Sequence, residues 1–417
     1  MKLNRRVLIR RFVVYFSFCF YAHGALAISE AEQQHLLGRI SFGGKAHTEL
    51  ALEKKSRQES VAAVLDTIDP TITVAPPGWL AYTLGNVSDD LPLTSEALRK
   101  FKNNRNKQVR EQREQLKGWW LKQIHQGESP VAERLLLFWQ NFFTTQIDML
   151  PNPKLGWQQQ LVMRRHLLGN FRHMLRDMNE DPALLWYLDN HLNNKKKANE
   201  NYARELLELY TLGEGHYSES DVKELARAMT GAGVDRKTWL YEFHESRHDS
   251  GEKSVLGAFG NLKPNEVIDI ILRQPRSAEY LVERLWRAFV SPTVDKESVR
   301  KLAADFRKRD FELRPLIEDL FNHPAFWDER NRLVLVKSPV ELLVQAHLES
   351  DKPIKNYEKT VKDLAEMGQD LFNPPDVGGW PQGDEWINSV RLAKRHKYLL
   401  SVAKSSVEKR QLNYQLK

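Results

Sequence analysis

Four ionisable residues within nine positions form the densest group in the chain that could do chemistry. Glu200, Arg204, Glu205 and Glu208 belong to the stretch NENYARELLELYTLGEGHYSESDVKELARAMTG, residues 199–231. At about 100° per residue they fall on one arc of a helix. Glu205 and Glu208, one turn apart, could share acid–base work or ligate a metal, with Arg204 fixing their charge. The alternative is a solvated face with surface ion pairs, each worth roughly a few tenths of a kcal/mol.

The same stretch predicts a pair of helices that positions these side chains. Asn199 fits an N-cap, and Gly213 fits the end of the first helix. Ser218 and Asp221 are spaced as a capping pair at the start of the second helix. Arg227 lies off the buried stripe of that second helix, so we expect it to be able to reach the carboxylates of the first.

A second motif, His244-Glu245-Ser-Arg-His248, matches the H-E-x-x-H pattern of zinc peptidases. In that pattern two histidines one helical turn apart bind zinc and the glutamate activates water. Glu266 lies where a third ligand would be expected. The alternation of aromatic and polar residues over 238–243 instead predicts a strand, and the Asp-Ser-Gly that follows would stop a helix. Zinc binding by His244, His248 and Glu266 is therefore kept as an alternative only.

Two loops carry further candidates. His248 and Asp249, followed by Lys253, suit a proton-transfer pair in a glycine-containing loop, or a loop whose side chains satisfy the backbone. Trp380 and Trp386 lie in a proline- and glycine-rich aromatic loop, where they could stack on a sugar or close the core. The sequence has no G-x-S-x-G motif and no phosphate-binding glycine loop.

The first 27 residues read as a secretory signal peptide. Five basic residues precede an apolar run over 12–20, and Ala-Leu-Ala at 25–27 fits a cleavage site. The apolar run is too short to span a membrane comfortably, which argues against the alternative of an N-terminal anchor. We expect an exported protein, periplasmic or secreted, with the choice between the general and the twin-arginine route left open.

Cleavage after Ala27 would change the charge and the redox chemistry of the chain. It removes five of the 62 basic residues and none of the 55 acidic ones, so the net charge falls from +7 to +2. Nucleic acid is therefore not an expected partner. It also removes Cys19, the one cysteine. Disulfides, thiol nucleophiles and cysteine-bound metals are then excluded, and stability must come from core burial. The sequence does not identify a cofactor.

The remaining chain predicts a mainly α protein, one large multi-helix domain over 28–417 with minor short strands and long loops. Helical periodicity recurs over most of the chain, including a long polar helix over 95–124 and an apolar helix from Pro130 that is expected in the core. Residues 28–95 are less regular and could form a looser N-terminal subregion. A hydrophobic content of 41% with 28% charged residues suits a globular protein.

Several long segments resemble one bacterial family, catalogued as domain of unknown function 1800. Besides residues 199–231 they are HLLGRISFG, DPALLWYLDN, HDSGEKSVLG, KSPVELL and LFNPPDVGGWPQGDEWINS. The resemblance covers nearly the whole chain after residue 27. It implies an exported bacterial protein, and it brings no established activity. The family often has two histidines in a segment like FWHNHF, where this chain has Gln140 and Phe142. This difference suggests a divergent or inactive member, or histidines that are structural in relatives.

Three hypotheses follow. They differ on whether the protein is an enzyme, and the sequence does not decide between them. In the first, an exported helical protein acts on or binds an envelope or extracellular polymer through one polar cleft. Its walls would be the Glu200–Glu208 face, Arg227, the His248–Asp249 loop and the Trp380 loop. The second is a non-catalytic binding or assembly protein with a protein partner, and the third is the zinc peptidase. No stable membrane span is expected after signal cleavage.

Overall fold

The structure is a computed structural model, and it describes residues 27–43, 50–69, 74–81 and 95–403. The expected signal peptide therefore lies, except for Ala27, outside the described residues. The fold is mainly α, as the periodicity predicts. In the described ranges the α-helices are, in chain order, α1 Glu30–Ile40, α2 Arg57–Leu65, α3 Ser95–Gln126, α4 Pro130–Phe142, α5 Lys154–Arg165, α6 Phe171–Asn179, α7 Pro182–Tyr187, α8 Asn201–Glu208, α9 Glu219–Ala228, α10 Pro264–Arg273, α11 Pro275–Phe289, α12 Lys296–Lys308, α13 Leu313–Asn322, α14 Pro324–Trp327, α15 Pro339–Ser350, α16 Tyr357–Glu366 and α17 Ser389–Val402.

Two small antiparallel hairpins follow α9. In the first, β1 (Ala232–Val234) pairs with β2 (Tyr241–Phe243), with Gly233 opposite Glu242. In the second, β3 (Lys253–Val255) pairs with β4 (Ala258–Gly260). The strand expected over 238–243 is thus confirmed only for its last three residues. Trp239 lies in the preceding turn with a φ of +60°, which ends the extended conformation there.

Helix α4 lies at the centre of the core, as its composition predicts. It starts at a Ser129 cap with Pro130 in the first turn. Trp139 and Phe142 are buried, and they pack with Phe143 and Phe171 at ring-centroid distances of 4.9–6.5 Å. Aromatic pairs in this range of distance add to the stability that burial alone gives. One hydrophobic cluster includes residues from both ends of the described chain and holds the other helices around this centre.

Helices α8 and α9 pack on each other and carry the charged candidates. α8 begins at Asn201 with Glu200 in the cap position, so the expectation that Asn199 is the N-cap is wrong by one residue. The Asn199 side chain instead accepts a hydrogen bond from the Asn201 backbone N–H at 3.0 Å. Gly213, with a φ of +81°, ends the turn that follows α8. The predicted capping box at the start of α9 is confirmed.

No helix in the described part of the chain is long and apolar enough to cross a membrane.

Candidate functional site

The charged face of α8 divides into two parts with different surroundings. Arg204 donates from both terminal nitrogens to Glu219 of α9, each at 2.8 Å, and lies 3.4 Å from Glu200. Arg204 keeps 35% of its side chain exposed and Glu219 keeps 66%. This group is therefore a surface ion network between two helices, of the kind that contributes little to stability.

Glu205 has a different environment from its neighbours. It is half-buried, and its carboxylate forms no hydrogen bond and no ion pair with the described residues. Burial and the negative charge of Glu208 raise the pKa of Glu205, and the charge of Arg204 opposes that shift only in part. Glu208 accepts a hydrogen bond from the Tyr217 hydroxyl at 3.0 Å. Two carboxyl groups one turn apart thus have unequal partners, which is how acid and base roles are separated.

Tyr187, Tyr210 and Tyr217 lie within electrostatic reach of this pair of carboxyl groups. Burial, followed by the charges of Asp376 and Glu205, raises the pKa of Tyr187 to about 12. Tyr187 therefore lies within electrostatic reach of both α8 and the 371–380 loop. The Tyr210 hydroxyl is buried and has no hydrogen-bond partner in the part of the chain that the structure describes. Burial, followed by Tyr202 and Glu205, raises its pKa well above the ordinary value. We call Glu205, Glu208, Tyr187, Tyr210, Tyr217 and Asp376 the acid–tyrosine site.

The end of α4 forms the aromatic wall behind this site. The Phe142 ring lies 6.4 Å from the Tyr210 ring and 6.3 Å from the Tyr280 ring. The Arg284 guanidinium lies 5.4 Å from the centre of the Phe142 ring and donates to the Tyr280 hydroxyl at 2.9 Å. A histidine at 142, which the family resemblance leads us to expect there, would thus share Tyr210 as a neighbour with Glu205.

Gln140 belongs to a separate, fully buried polar network. Its amide nitrogen donates to Gln159 Oε1 at 3.3 Å, and Gln159 in turn donates to Asp181 at 3.2 Å. Burial raises the pKa of Asp181 to about 7. Positions 140 and 142, where the family resemblance leads us to expect histidines, therefore lie in two different environments, one polar and one aromatic.

The 371–380 loop reaches the site through α4. The Trp380 backbone N–H donates to Asn141 Oδ1 at 2.5 Å, and the Trp380 indole donates to the Asp370 carbonyl at 3.0 Å. Trp380 and Trp386 are each only 4% exposed. The expectation that they offer stacking faces to a sugar is therefore wrong, because both rings are in the core. Asp376, rather than either tryptophan, connects this loop to the acid–tyrosine site.

Arg227, His248 and Asp249 form another cluster. Arg227 donates to Asp249 at 2.8 and 3.3 Å and to Glu224 at 2.8 and 3.1 Å. It therefore does not reach the carboxylates of α8, contrary to expectation. The ion pair with Arg227 lowers the pKa of Asp249. Arg227 follows Glu219 by eight residues, about 12 Å along the axis of α9. The single cleft expected from the sequence is thus divided into two clusters.

His248 and Asp249 do not form a proton-transfer pair. His248 is buried, and its Nδ1 donates to the Thr230 carbonyl at 2.8 Å, which leaves Nε2 buried without a partner. The Asp249 backbone N–H donates to the Thr230 hydroxyl at 2.8 Å. Lys253 is buried and donates to the Gly251 carbonyl at 2.9 Å. These contacts fit a loop stabilised by its own side chains.

The H-E-x-x-H residues do not have the helical geometry of a zinc motif. Glu245–Arg247 is a single 3-10 turn after β2, and His244 precedes it in extended conformation. Glu245 pairs with Lys263 at 2.5 Å, and Glu266 accepts from the Lys263 backbone N–H at 2.8 Å at the start of α10. Within the described ranges no group of three or more His, Cys, Asp or Glu side chains could hold a metal ion.

Sequence reasoning identified Glu205 and Glu208 but did not include Tyr187, Tyr210, Tyr217 or Asp376 in the site. Tyr187 and Asp376 lie in two of the segments that carry the family resemblance, DPALLWYLDN and LFNPPDVGGW. Their position in these family-typical segments was the one sequence feature that could have pointed to Tyr187 and Asp376 as site residues. Tyr217 lies between α8 and α9, where its hydrogen bond to Glu208 depends on how the two helices pack.

The fold and the site define a mainly α protein whose candidate site consists of carboxyl groups and tyrosines beside a central aromatic helix. A family model matches residues 35–416, nearly the whole chain. The chain belongs to this family, DUF1800, described as a protein of unknown function. No curated protein and no solved structure matches the chain.

Proposed function

We propose that this protein is exported and acts on an envelope or extracellular polysaccharide, with Glu205 as the proton donor of a hydrolytic reaction. The observation that carries the proposal is the half-buried Glu205 carboxyl group, which has no hydrogen-bond or ion-pair partner among the described residues and has a raised pKa. A general acid must hold its proton near neutral pH, and burial beside a second carboxylate is how proteins achieve that. Glu208, which accepts a hydrogen bond from the Tyr217 hydroxyl, would be the second carboxyl group of the reaction.

The tyrosines supply the remaining chemistry of the proposed site. Because burial and nearby negative charge keep the Tyr187 hydroxyl protonated, it can donate a hydrogen bond to a substrate oxygen. A hydroxyl donor beside two carboxyl groups with different surroundings suits cleavage of a bond between sugar units.

The test uses purified protein lacking residues 1–27, incubated with a panel of isolated envelope polysaccharides. We expect release of new reducing ends by wild-type protein and a loss of at least about a hundredfold in Glu205→Gln. Glu200→Gln is the matched control, because Glu200 lies on the same face but interacts with Arg204 at the surface. It should retain full activity. Equal loss in both variants, or no product with any polymer, would contradict the proposal.

A second candidate is a non-catalytic binding or assembly protein, and exposed apolar residues favour it. Leu333 is 96% exposed and Val334 37% exposed on one irregular segment, and Phe259 is 81% exposed beside the β3–β4 turn. Gln140 and Phe142 in place of histidines favour it as well. Cosedimentation with insoluble polymer distinguishes the two functions. Binding without product, unchanged in Glu205→Gln and lost in Leu333→Asp, would support assembly.

Export has its own test. Expression of the full chain in a bacterial host, followed by N-terminal sequencing of protein from the periplasm and the medium, should give a mature chain beginning at Ile28. An uncleaved chain in the cytoplasm would contradict the proposed compartment.

A further inference from the structure

The first half of α3 lies on the surface and carries an excess of positive charge. Val109 is the first buried residue of this helix, so residues 95–108 run along the surface for about 20 Å. Residues 95–113 contain seven basic and two acidic residues, a net charge of +5. The chain after residue 27 has a net charge of +2, so its other residues together carry −3. The positive charge of the molecule is therefore concentrated on this helix.

Exposed polar side chains of this half of α3 form one stripe. Five of them fall within an arc of about 100° when the helix turns by about 100° per residue. We call these five residues the basic stripe: Arg99, Lys102, Asn103, Asn106 and Arg110. No acidic residue between 95 and 113 lies in that arc. The stripe extends for about 16 Å along the helix axis.

The three cations of the basic stripe have no carboxylate partner. Within the described ranges they form no ion pair, whereas the two lysines beside the stripe do. Lys100 lies 3.0 Å from Glu96, and Lys107 lies 3.9 Å from Glu111. Unpaired cations on one face of a helix repel one another, so a polyanion lying along the helix would offset that repulsion.

The surface half of α3 is joined to the loop that carries Asp376. Arg113, one turn after the stripe, donates to the Asp148 carbonyl at 3.0 Å. The Asp148 side chain accepts a hydrogen bond from Asn373 of that loop, also at 3.0 Å. The stripe therefore begins next to a loop that contributes to the acid–tyrosine site.

The side chains of the stripe distinguish between kinds of polyanion. Asn103 and Asn106 lie between the cations, and their amides both donate and accept hydrogen bonds, as sugar hydroxyls do. The stripe has no aromatic side chain on which a nucleic acid base could stack. It has no apolar side chain to enter a bilayer, and Leu98 and Phe101 on the other side of the helix are half-buried. Interleaved cations and amides fit an acidic polysaccharide.

We propose that the basic stripe is a docking surface for an acidic polysaccharide, which it binds without taking part in any reaction. Its cations contact carboxylate or sulfate groups along the polymer, and its asparagines contact hydroxyl groups. The choice of a polysaccharide rests on the function proposed for Glu205, whereas the binding of a polyanion does not. To that function the stripe adds the acidic class of the polymer.

The test measures binding separately from cleavage. Protein lacking residues 1–27 is passed over immobilised polygalacturonate and dextran sulfate, which are acidic, and over uncharged dextran. We expect saturable binding to the two acidic polymers, weakened at least about tenfold between about 50 and about 300 mM salt, because salt screens exposed charges. Equal binding to dextran, or no binding to either acidic polymer at the lower salt concentration, would overturn the proposal.

Three substitutions made together assign the binding to the stripe. Arg99→Gln, Lys102→Gln and Arg110→Gln remove its unpaired cations and should weaken binding to both acidic polymers by about tenfold or more. All three positions are exposed, so the variant should keep the circular dichroism spectrum of wild type.

The matched control is a second triple variant, Lys195→Gln, Lys196→Gln and Lys197→Gln. These lysines lie together in an exposed segment, so the control removes the same charge from another surface. Binding should change by less than about twofold. Equal weakening in the two triple variants would show that net charge alone governs binding, and it would overturn the proposal.

Two further measurements separate the class of partner and the proposed reaction. Tighter binding of duplex DNA or of phosphatidylglycerol vesicles than of polygalacturonate, at equal salt, would overturn the assignment to a polysaccharide. Glu205→Gln should bind the acidic polymers as wild type does, because Glu205 lies outside the stripe. Binding that is lost in the stripe variant, without release of reducing ends from any polymer, would support the docking surface and contradict only the proposed hydrolysis.

Discussion

The environment of Glu205 has a consequence for stability that can be measured without knowing any substrate. A carboxyl group whose folded-state pKa is raised disfavours the folded state once pH exceeds the unfolded-state value, and the penalty is complete above the folded-state value. Burial and Glu208 raise the pKa of Glu205. We therefore expect Glu205→Gln to be more stable than wild type at pH 8 by roughly 0.5–1 kcal/mol, and equally stable near pH 4. Urea unfolding at the two pH values measures the difference.

Glu200→Gln serves as the control for that prediction. Glu200 lies 3.4 Å from Arg204 at the surface, so its removal should cost a few tenths of a kcal/mol at pH 8, roughly the value of an exposed pair. A loss of stability in Glu205→Gln at pH 8 would show that the Glu205 charge has a favourable partner, contrary to its environment here.

For single residues, the sequence indicated which side chains could do chemistry, but it did not indicate which groups each of them contacts. Glu205 could be placed on a polar face from spacing alone. Its burial depends on residues far away in sequence, so the charged face could not be divided into an exposed network and a half-buried pair in advance. Trp380 and Trp386 failed as candidates for the same reason. An aromatic residue in a glycine-rich loop has the same local pattern whether its ring faces solvent or, as here, the core.

The start of α7 contains a buried carboxyl group whose titration should shape the pH dependence of stability. Asp181 caps α7 through the Leu184 backbone N–H at 2.9 Å, and its second oxygen is buried with no hydrogen-bond partner within the described ranges. Burial raises its pKa to about 7. Stability from this group is therefore fully present below the unfolded-state value of about 4 and is lost as pH rises to about 7. Asp181→Asn keeps the cap and removes the charge. It should gain on the order of 2 kcal/mol at pH 8 and be near neutral at pH 4.

The matched control is Asp295→Asn at the start of α12. Asp295 caps its helix through the Glu297 and Ser298 N–H groups at 3.0 and 3.3 Å, and it accepts a hydrogen bond from the Ser298 hydroxyl at 2.8 Å. The hydroxyl hydrogen bond, followed by the backbone ones, lowers the pKa of Asp295. Its stabilisation is therefore present above the unfolded-state pKa and is lost as pH falls. The sign of the change at pH 8 should be opposite to that of Asp181→Asn. Chemical unfolding between pH 4 and pH 8 measures both, and the same sign in the two variants would contradict the account.

The two arginines of the α8–α9 pair should differ in their contribution to stability. Arg227 makes four hydrogen bonds of 2.8–3.3 Å to Asp249 and Glu224 and another to the Glu252 carbonyl. We expect Arg227→Ala to cost about 2 kcal/mol and to increase hydrogen exchange over residues 249–252. Arg204→Ala should cost less than about 1 kcal/mol, because its partners are exposed. Equal costs for the two would show that Arg227 does not hold the loop.

Element boundaries were predictable where capping chemistry is local. The capping box at α9 and the Pro130 start of α4 both follow from side chains within a few residues of the helix end. The start of α8 was misplaced by one residue, because Asn199 binds the backbone of Asn201 from just outside the helix. The strand over 238–243 was overextended, since the turn at Trp239 needs a positive φ that its residue type does not signal.

At the scale of the molecule, the sequence predicted the helical fold class. It did not predict which distant segments of the chain lie next to one another. His248 and Glu205 lie in neighbouring motifs, which favoured a single cleft. The structure instead separates them along α9 and brings Asp376, from the far end of the chain, within electrostatic reach of Tyr187 and so toward Glu205. Periodicity gives the buried face of each helix, but the choice of which buried faces meet depends on packing over the whole chain.

The contact between the 371–380 loop and α4 is where that convergence can be tested. Gly379 has a φ of +99°, and a Cβ at this position would lie 2.3 Å from Asn141 Oδ1 and 2.9 Å from the Asn141 carbonyl oxygen. Gly379→Ala must therefore displace the loop from α4, and we expect it to lose about 3 kcal/mol of stability through strain and the lost Trp380–Asn141 hydrogen bond. Gly383→Ala is the control. Gly383 has a φ of +55°, and a Cβ there would meet no described atom within 4 Å, so this substitution should cost only about 1 kcal/mol.

The same substitution at Gly379 should change the titration of Tyr187. Because Asp376 moves with the loop, Gly379→Ala should lower the pKa of Tyr187. The pKa is measured from phenolate absorbance, and the signal of a Tyr187→Phe variant is subtracted to isolate this tyrosine. A stable Gly379→Ala protein with an unchanged tyrosine titration would show that this loop does not position Asp376 at the acid–tyrosine site.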